Sequence, residues 1–69
     1  MMYEKERKEL ADICHLLYGR GLVAATDGNV SFRVTKGHIL LTPSGKNKGF
    51  VGPEEMLVVD LDGNVVEGS

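Results

Sequence analysis

Up to Gly19 the apolar residues of this chain recur at helical spacing, and from Asn29 onward they alternate. A chain that makes this change once has a helix to lay on a sheet, and each must bury the apolar face of the other. In residues 3 to 20, Leu10, Ile13, Cys14 and Leu17 follow the i, i+3, i+4, i+7 pattern. Tyr3 and Arg7 extend that face, Arg7 through its aliphatic stem. Glu4, Lys5, Lys8, Glu9 and Asp12 take the other side, and Gly21 stands where a helix is capped. In "NVSFRVT", residues 29 to 35, Val30, Phe32 and Val34 face one way, and Asn29, Ser31, Arg33 and Thr35 the other. Lys36 and Gly37 turn the chain into "HILLT", which closes a first hairpin. A long connection, residues 43 to 55, has Pro53 placed to start a short helical turn. "MLVVDL" then reads as a buried strand, Asp62-Gly63 as a hairpin turn and "NVVE" as the return strand. The expected fold is α+β, an N-terminal helix packed on an antiparallel β-sheet of two hairpins.

The chain has 69 residues, room for one small domain. A single cysteine, Cys14, rules out an internal disulfide, and no Cys/His spacing suggests a structural zinc. The net charge of -2 argues against nucleic acid as a partner. No apolar run approaches the roughly 20 residues of a membrane span, and the charged start "MMYEKERKEL" does not read as a signal peptide. The expectation is a soluble, cytoplasmic protein with no membrane partner.

Charge is unevenly spread. Residues 54 to 69 carry Glu54, Glu55, Asp60, Asp62 and Glu67 and no base, whereas residues 33 to 48 carry Arg33, Lys36, Lys46 and Lys48 and no acid. The basic stretch coincides with the second of two polar turns, "TDGNVSF" and "LLTPSGKNKGF". Gly28 and Gly45 allow close approach to backbone N–H groups, Asn29 adds an amide, and Ser44 adds a hydroxyl. Backbone N–H groups grouped in this way form anion-binding nests, and Lys46 and Lys48 would raise the local positive potential for a small phosphate. The same residue types also occur simply because turns require them. No GxxxxGK[ST] phosphate loop is present. His15 and His38 lack partners at metal-ligand spacing, Cys14 lies on the buried stripe as inert packing, and Asp60, Asp62 and Glu67 read as solvated hairpin residues.

"GLVAATDGNVSFR", "ILLTPSG" and "MLVVDLDGNVVEG" together resemble the N-terminal part of the class II aldolase/adducin family. Members include L-fuculose-1-phosphate aldolase, L-ribulose-5-phosphate 4-epimerase and related sugar-phosphate dehydratases. The resemblance implies an α/β/α fold of which residues 1–69 are the N-terminal part of a single, truncated domain. It implies that Gly28, Asn29, Ser44 and Gly45 bind the substrate phosphate, with Thr42 and Pro43 supporting the second turn. It further implies a divalent metal, zinc, in the intact enzyme, and homo-oligomers, commonly tetramers. The family's later serine pair, catalytic acid and metal histidines match no residue up to Ser69. The resemblance therefore implies a fragment of a metal-dependent sugar-phosphate lyase, with no catalytic or metal residue of its own and inactive alone. The alternatives are a non-catalytic, adducin-type assembly module and an epimerase or dehydratase of the same family.

Overall fold

The computed structural model describes residues 1–22 and 29–68. Helix α1 (Glu4–Gly19) comes first, followed by strands β1 (Ser31–Arg33), β2 (His38–Leu41), β3 (Leu57–Asp60) and β4 (Val65–Glu67). A 3₁₀ turn, Pro53–Glu55, precedes β3 and has proline at its start, as expected. The four strands form one antiparallel sheet in the order β1-β2-β3-β4. The two expected hairpins are thus joined edge to edge, with Leu40 opposite Val58 at the centre.

α1 ends as its sequence dictates. Gly21 takes a φ of 70°, the Gly21 N–H donates to Tyr18 O and the Leu22 N–H to Leu17 O. These two bonds form a Schellman closure, which glycine permits without a Cβ clash.

The buried stripe of α1 is rotated from its expected position. Arg7, Leu10, Ala11 and Cys14 are buried, whereas Ile13 is 41% exposed. The small Ala11 lets the helix approach the sheet, and the stripe still keeps i, i+3, i+4, i+7 spacing. Leu10, Ala11 and Cys14 meet Leu40, Val51, Met56 and Val58, with Val30, Phe32 and Val34 packed at the edge as alternation predicted. Ile39, Leu41, Leu57 and Val59 alternate with the core positions and lie half-buried on the opposite face.

Arg7 is 1% exposed, so its charged head is buried as well as its stem. Its Nε donates to Met2 O (2.6 Å), and its Nη1 donates to Pro53 O (3.2 Å) and Met56 O (2.9 Å). Its Nη2 is paired with Glu67, which also accepts the Met2 N–H at 2.9 Å. Glu67 is therefore a clamp between β4 and α1 rather than a solvated hairpin residue.

The β3–β4 turn runs from Asp60 to Asn64 and is longer than a two-residue Asp-Gly turn. Gly63 takes a positive φ but Asp62 does not, so a type I′ turn does not form. Instead Asp60 Oδ1 accepts the N–H groups of Asp62 and Asn64, both at 2.9 Å. The Asn64 N–H above all holds the Asp60 carboxyl below its ordinary pKa. A depressed pKa means that the ionised carboxylate favours the folded chain. This contribution is complete above the unfolded value near pH 4 and is lost as pH falls through the lower folded value. Urea midpoints compared at about pH 7, 5 and 3 are expected to fall at the acid end, and to fall less steeply in Asp60→Asn.

Candidate functional site

Asn29 and the Ser44-Gly45 turn lie at the same end of the sheet. β1 and β2 pair Ser31 with Leu41, which leaves Val30 facing Thr42 one step beyond the ladder. Thr42 is 1% exposed and bonds Val30 in both directions. Its N–H donates to Val30 O, and its Oγ1 accepts the Val30 N–H, both at 3.0 Å. A valine there would leave the Val30 N–H without its acceptor, which explains a polar side chain in a buried position. Asn29, on one side of this clamp, and Ser44-Gly45, on the other, are all exposed.

Gly45 has a φ of 76°, and nothing stands within 4 Å of where a Cβ would lie. The glycine is there for its backbone conformation, not for lack of room. Gly28 lies outside the described residues.

An open cavity of about 620 Å³ adjoins the second turn, lined by Pro43, Ser44, Lys46, Glu54, Glu55, Leu57 and Gly68. Ser44 faces it, whereas Asn29 and Gly45 are not among its lining residues. Lys46 Nζ is 3.3 Å from Glu55 Oε2. The other Glu55 oxygen accepts the Gly52 N–H at 2.9 Å. The Gly52 N–H first, and Lys46 second, hold the Glu55 carboxyl below its ordinary pKa.

The two lysines expected to enrich this turn in charge part company. Lys46 is 57% exposed at the cavity, whereas Lys48 is 1% exposed with no hydrogen-bond partner for its Nζ among the described residues. Lys48 acts instead on the core. Burial pushes the Cys14 thiol pKa up, and the Lys48 charge offsets part of that rise. A raised pKa keeps Cys14 a thiol, in agreement with an inert packing role.

The connecting loop is held by side chains the sequence did not single out for this. Asn47 Oδ1 accepts the Gly49 N–H at 2.8 Å, and Asn47 O accepts the Phe50 N–H at 3.0 Å. His15 Nε2 bonds Val51 O at 2.7 Å, and His38 Nδ1 bonds the Tyr3 hydroxyl at 2.6 Å. Both histidines are thus engaged in structural contacts. Among the described residues, no group of three His, Cys, Asp or Glu is arranged to hold a metal ion. The described residues do not fit the metal centre that the resemblance implies. Nor is any helix among them long and apolar enough to cross a membrane.

Residues 8–69 match the family model described as the Class II Aldolase and Adducin N-terminal domain. An L-fuculose phosphate aldolase of Methanococcus maripaludis is 48% identical over 56 residues, covering 81% of this chain and 31% of that protein. A methylthioribulose-1-phosphate dehydratase of Pseudomonas syringae pv. tomato is 43% identical over 67 residues, covering 97% of this chain and 33% of that protein. The crystal structure of YgbL from Escherichia coli, a candidate aldolase/epimerase/decarboxylase, superposes with a TM-score of 0.88 at 29% identity. That match covers 96% of this chain and 32% of the neighbour. The chain thus spans about a third of the length of these relatives.

Proposed function

Because the chain belongs to the class II aldolase and adducin family, we propose that it forms part of the substrate-phosphate site of a metal-dependent sugar-phosphate lyase. Gly28, Asn29, Ser44 and Gly45 are the phosphate ligands in this reading. Ser44 donates through its hydroxyl, Asn29 through its amide, and the two glycines through unhindered backbone N–H groups. The observation that carries the reading is the two-way Val30–Thr42 bond, which tethers the backbone beside Asn29 to the Ser44 turn. Support also comes from the relatives, two of which are named for acting on a phosphorylated sugar.

Divalent metal, zinc in the first instance, belongs to the intact family member in this reading. Its ligands are not found among the described residues. Aldol cleavage, dehydration and epimerisation share the phosphate site, and the chain's similarity to both an aldolase and a dehydratase keeps these as branches of one proposal. We also assign the protein to the cytoplasm, as a homo-oligomer of tetrameric type.

Calorimetric titration with a ketose 1-phosphate tests the assignment. Asn29→Ala and Ser44→Ala are each expected to weaken binding about tenfold, since each removes a hydrogen bond to a charged group. Wild-type binding that neither variant changes would overturn it. No saturable binding by the folded chain would favour the second reading, an adducin-type assembly module. The observation behind that alternative is the set of large apolar residues left exposed, including Leu16, Leu22 and Phe50.

A further inference from the structure

The four proposed phosphate ligands are all uncharged, whereas a phosphate monoester carries about -1.5 to -2 near neutral pH. The wall of the adjoining cavity makes the imbalance worse, because Glu54 and Glu55 both line it. A dianion beside two carboxylates is repelled unless a cation stands between them. Lys46 is the cation among the residues lining that cavity. Lys48 is buried and is not among them.

The attachment of Lys46 has a direction to it. Glu55 is fixed by the backbone, through the Gly52 N–H at 2.9 Å, and its own N–H donates to Gly52 O at 3.0 Å. The ammonium of Lys46 has Glu55 as its ion-pair partner, at 3.3 Å, and more than half of its side chain is exposed. Such an exposed pair is weak, and lysine is a flexible point charge that can change partners at little cost. Resting on the phosphate-site reading above, we propose that Lys46 is the cationic ligand of the phosphate, held beside the empty cavity by Glu55 and transferred to the phosphate when substrate enters. Glu55 then serves as a competing anion. It keeps the lysine oriented, and it sets a threshold that a weakly charged ligand does not cross.

The test is calorimetric titration of the folded chain with dihydroxyacetone phosphate, comparing wild type with Lys46→Met, Lys46→Arg, Glu55→Gln and Ser44→Ala. Circular dichroism establishes that each variant is folded. Lys46→Met is expected to weaken binding roughly tenfold, Lys46→Arg to stay within about threefold of wild type, and Glu55→Gln to tighten binding about two- to fivefold. Ser44→Ala weakening binding while Lys46→Met leaves it unchanged would overturn the role of Lys46 and leave the phosphate site standing. Weaker binding in Glu55→Gln would overturn the exchange, because Glu55 would then help the ligand rather than compete with it. Absence of saturable binding by wild type would remove both the exchange and the site.

Discussion

Arg7→Met is expected to cost about 3–5 kcal/mol of folding stability, from the three carbonyls it leaves without donors and the loss of the Glu67 pair. The guanidinium joins four parts of the chain, namely Met2, the 3₁₀ turn, Met56 just before β3, and Glu67 on β4. Methionine fills similar space but leaves the Met2, Pro53 and Met56 carbonyls without these donors, so lost packing is a minor part of the cost. A chain of this length is stabilised by roughly 3–10 kcal/mol in all, so the variant should be largely or marginally unfolded. Urea titration followed by circular dichroism measures the loss. Glu67→Gln serves as the comparison, because it keeps a side-chain oxygen as acceptor but leaves the Arg7 head, 1% exposed, without its counter-ion. Its cost should be about 1–3 kcal/mol, smaller than that of Arg7→Met because the three carbonyls keep their donors. A loss below about 1 kcal/mol for Arg7→Met itself would mean that water enters and satisfies the carbonyls.

Lys48→Met is expected to have the opposite sign and to stabilise the fold by about 1–3 kcal/mol. The lysine stem is buried with the core, and its ammonium has no hydrogen-bond partner among the described residues. Methionine keeps an unbranched chain of similar length and removes the desolvated charge. The same urea titration decides the sign. A clear loss of stability would show that the ammonium is paired in solution. The variant also leaves the cavity lining untouched, so phosphate binding should not change. That outcome separates the structural lysine from Lys46, two residues earlier.

The comparison of these two lysines shows where reading the chain residue by residue stops working. In the segment Lys46-Asn47-Lys48 both cations look alike, because an irregular loop has no period from which to infer facing. Strands differ. The alternation of Val30, Phe32 and Val34 indicated which side packs on the core, and all three do. The helix was an intermediate case. Its period was plain, but the phase of the buried stripe was off. Hydrophobicity alone favours Ile13 over the small Ala11 and keeps the Arg7 head in water, whereas the fold buries Ala11 and Arg7 and leaves Ile13 41% exposed. The signal was available, since Arg7, Leu10, Ala11 and Cys14 also stand at i, i+3, i+4 and i+7. Reading it required allowing a charged residue into the stripe, which burial disfavours unless partners are supplied from elsewhere.

The candidate site was legible to a similar degree. Gly45 reads directly as a turn glycine, and its positive φ bears that out. The resemblance implies Thr42 as support, and Thr42 bonds Val30, the residue before β1. The acidic hairpin reads as solvated. Asp60 instead organises the turn through local N–H groups, and Glu67 leaves the hairpin's company to pair with Arg7.

By itself, the sequence determined the helix and its glycine-closed end, the strands, the 3₁₀ turn and the residue types of both polar turns. These depend on residues within a few positions of one another, where φ preference, side-chain period and capping act directly. Only the tertiary structure decided that the two hairpins join through β2 and β3, that Thr42 ties the Ser44 turn to the backbone beside Asn29, and that Arg7 reaches Glu67 some 60 residues away. It also decided that of two neighbouring lysines one enters the core and the other faces the cavity. Such choices are set by what lies across the fold from a side chain, and the cost of burying a charge depends on partners that local sequence does not contain.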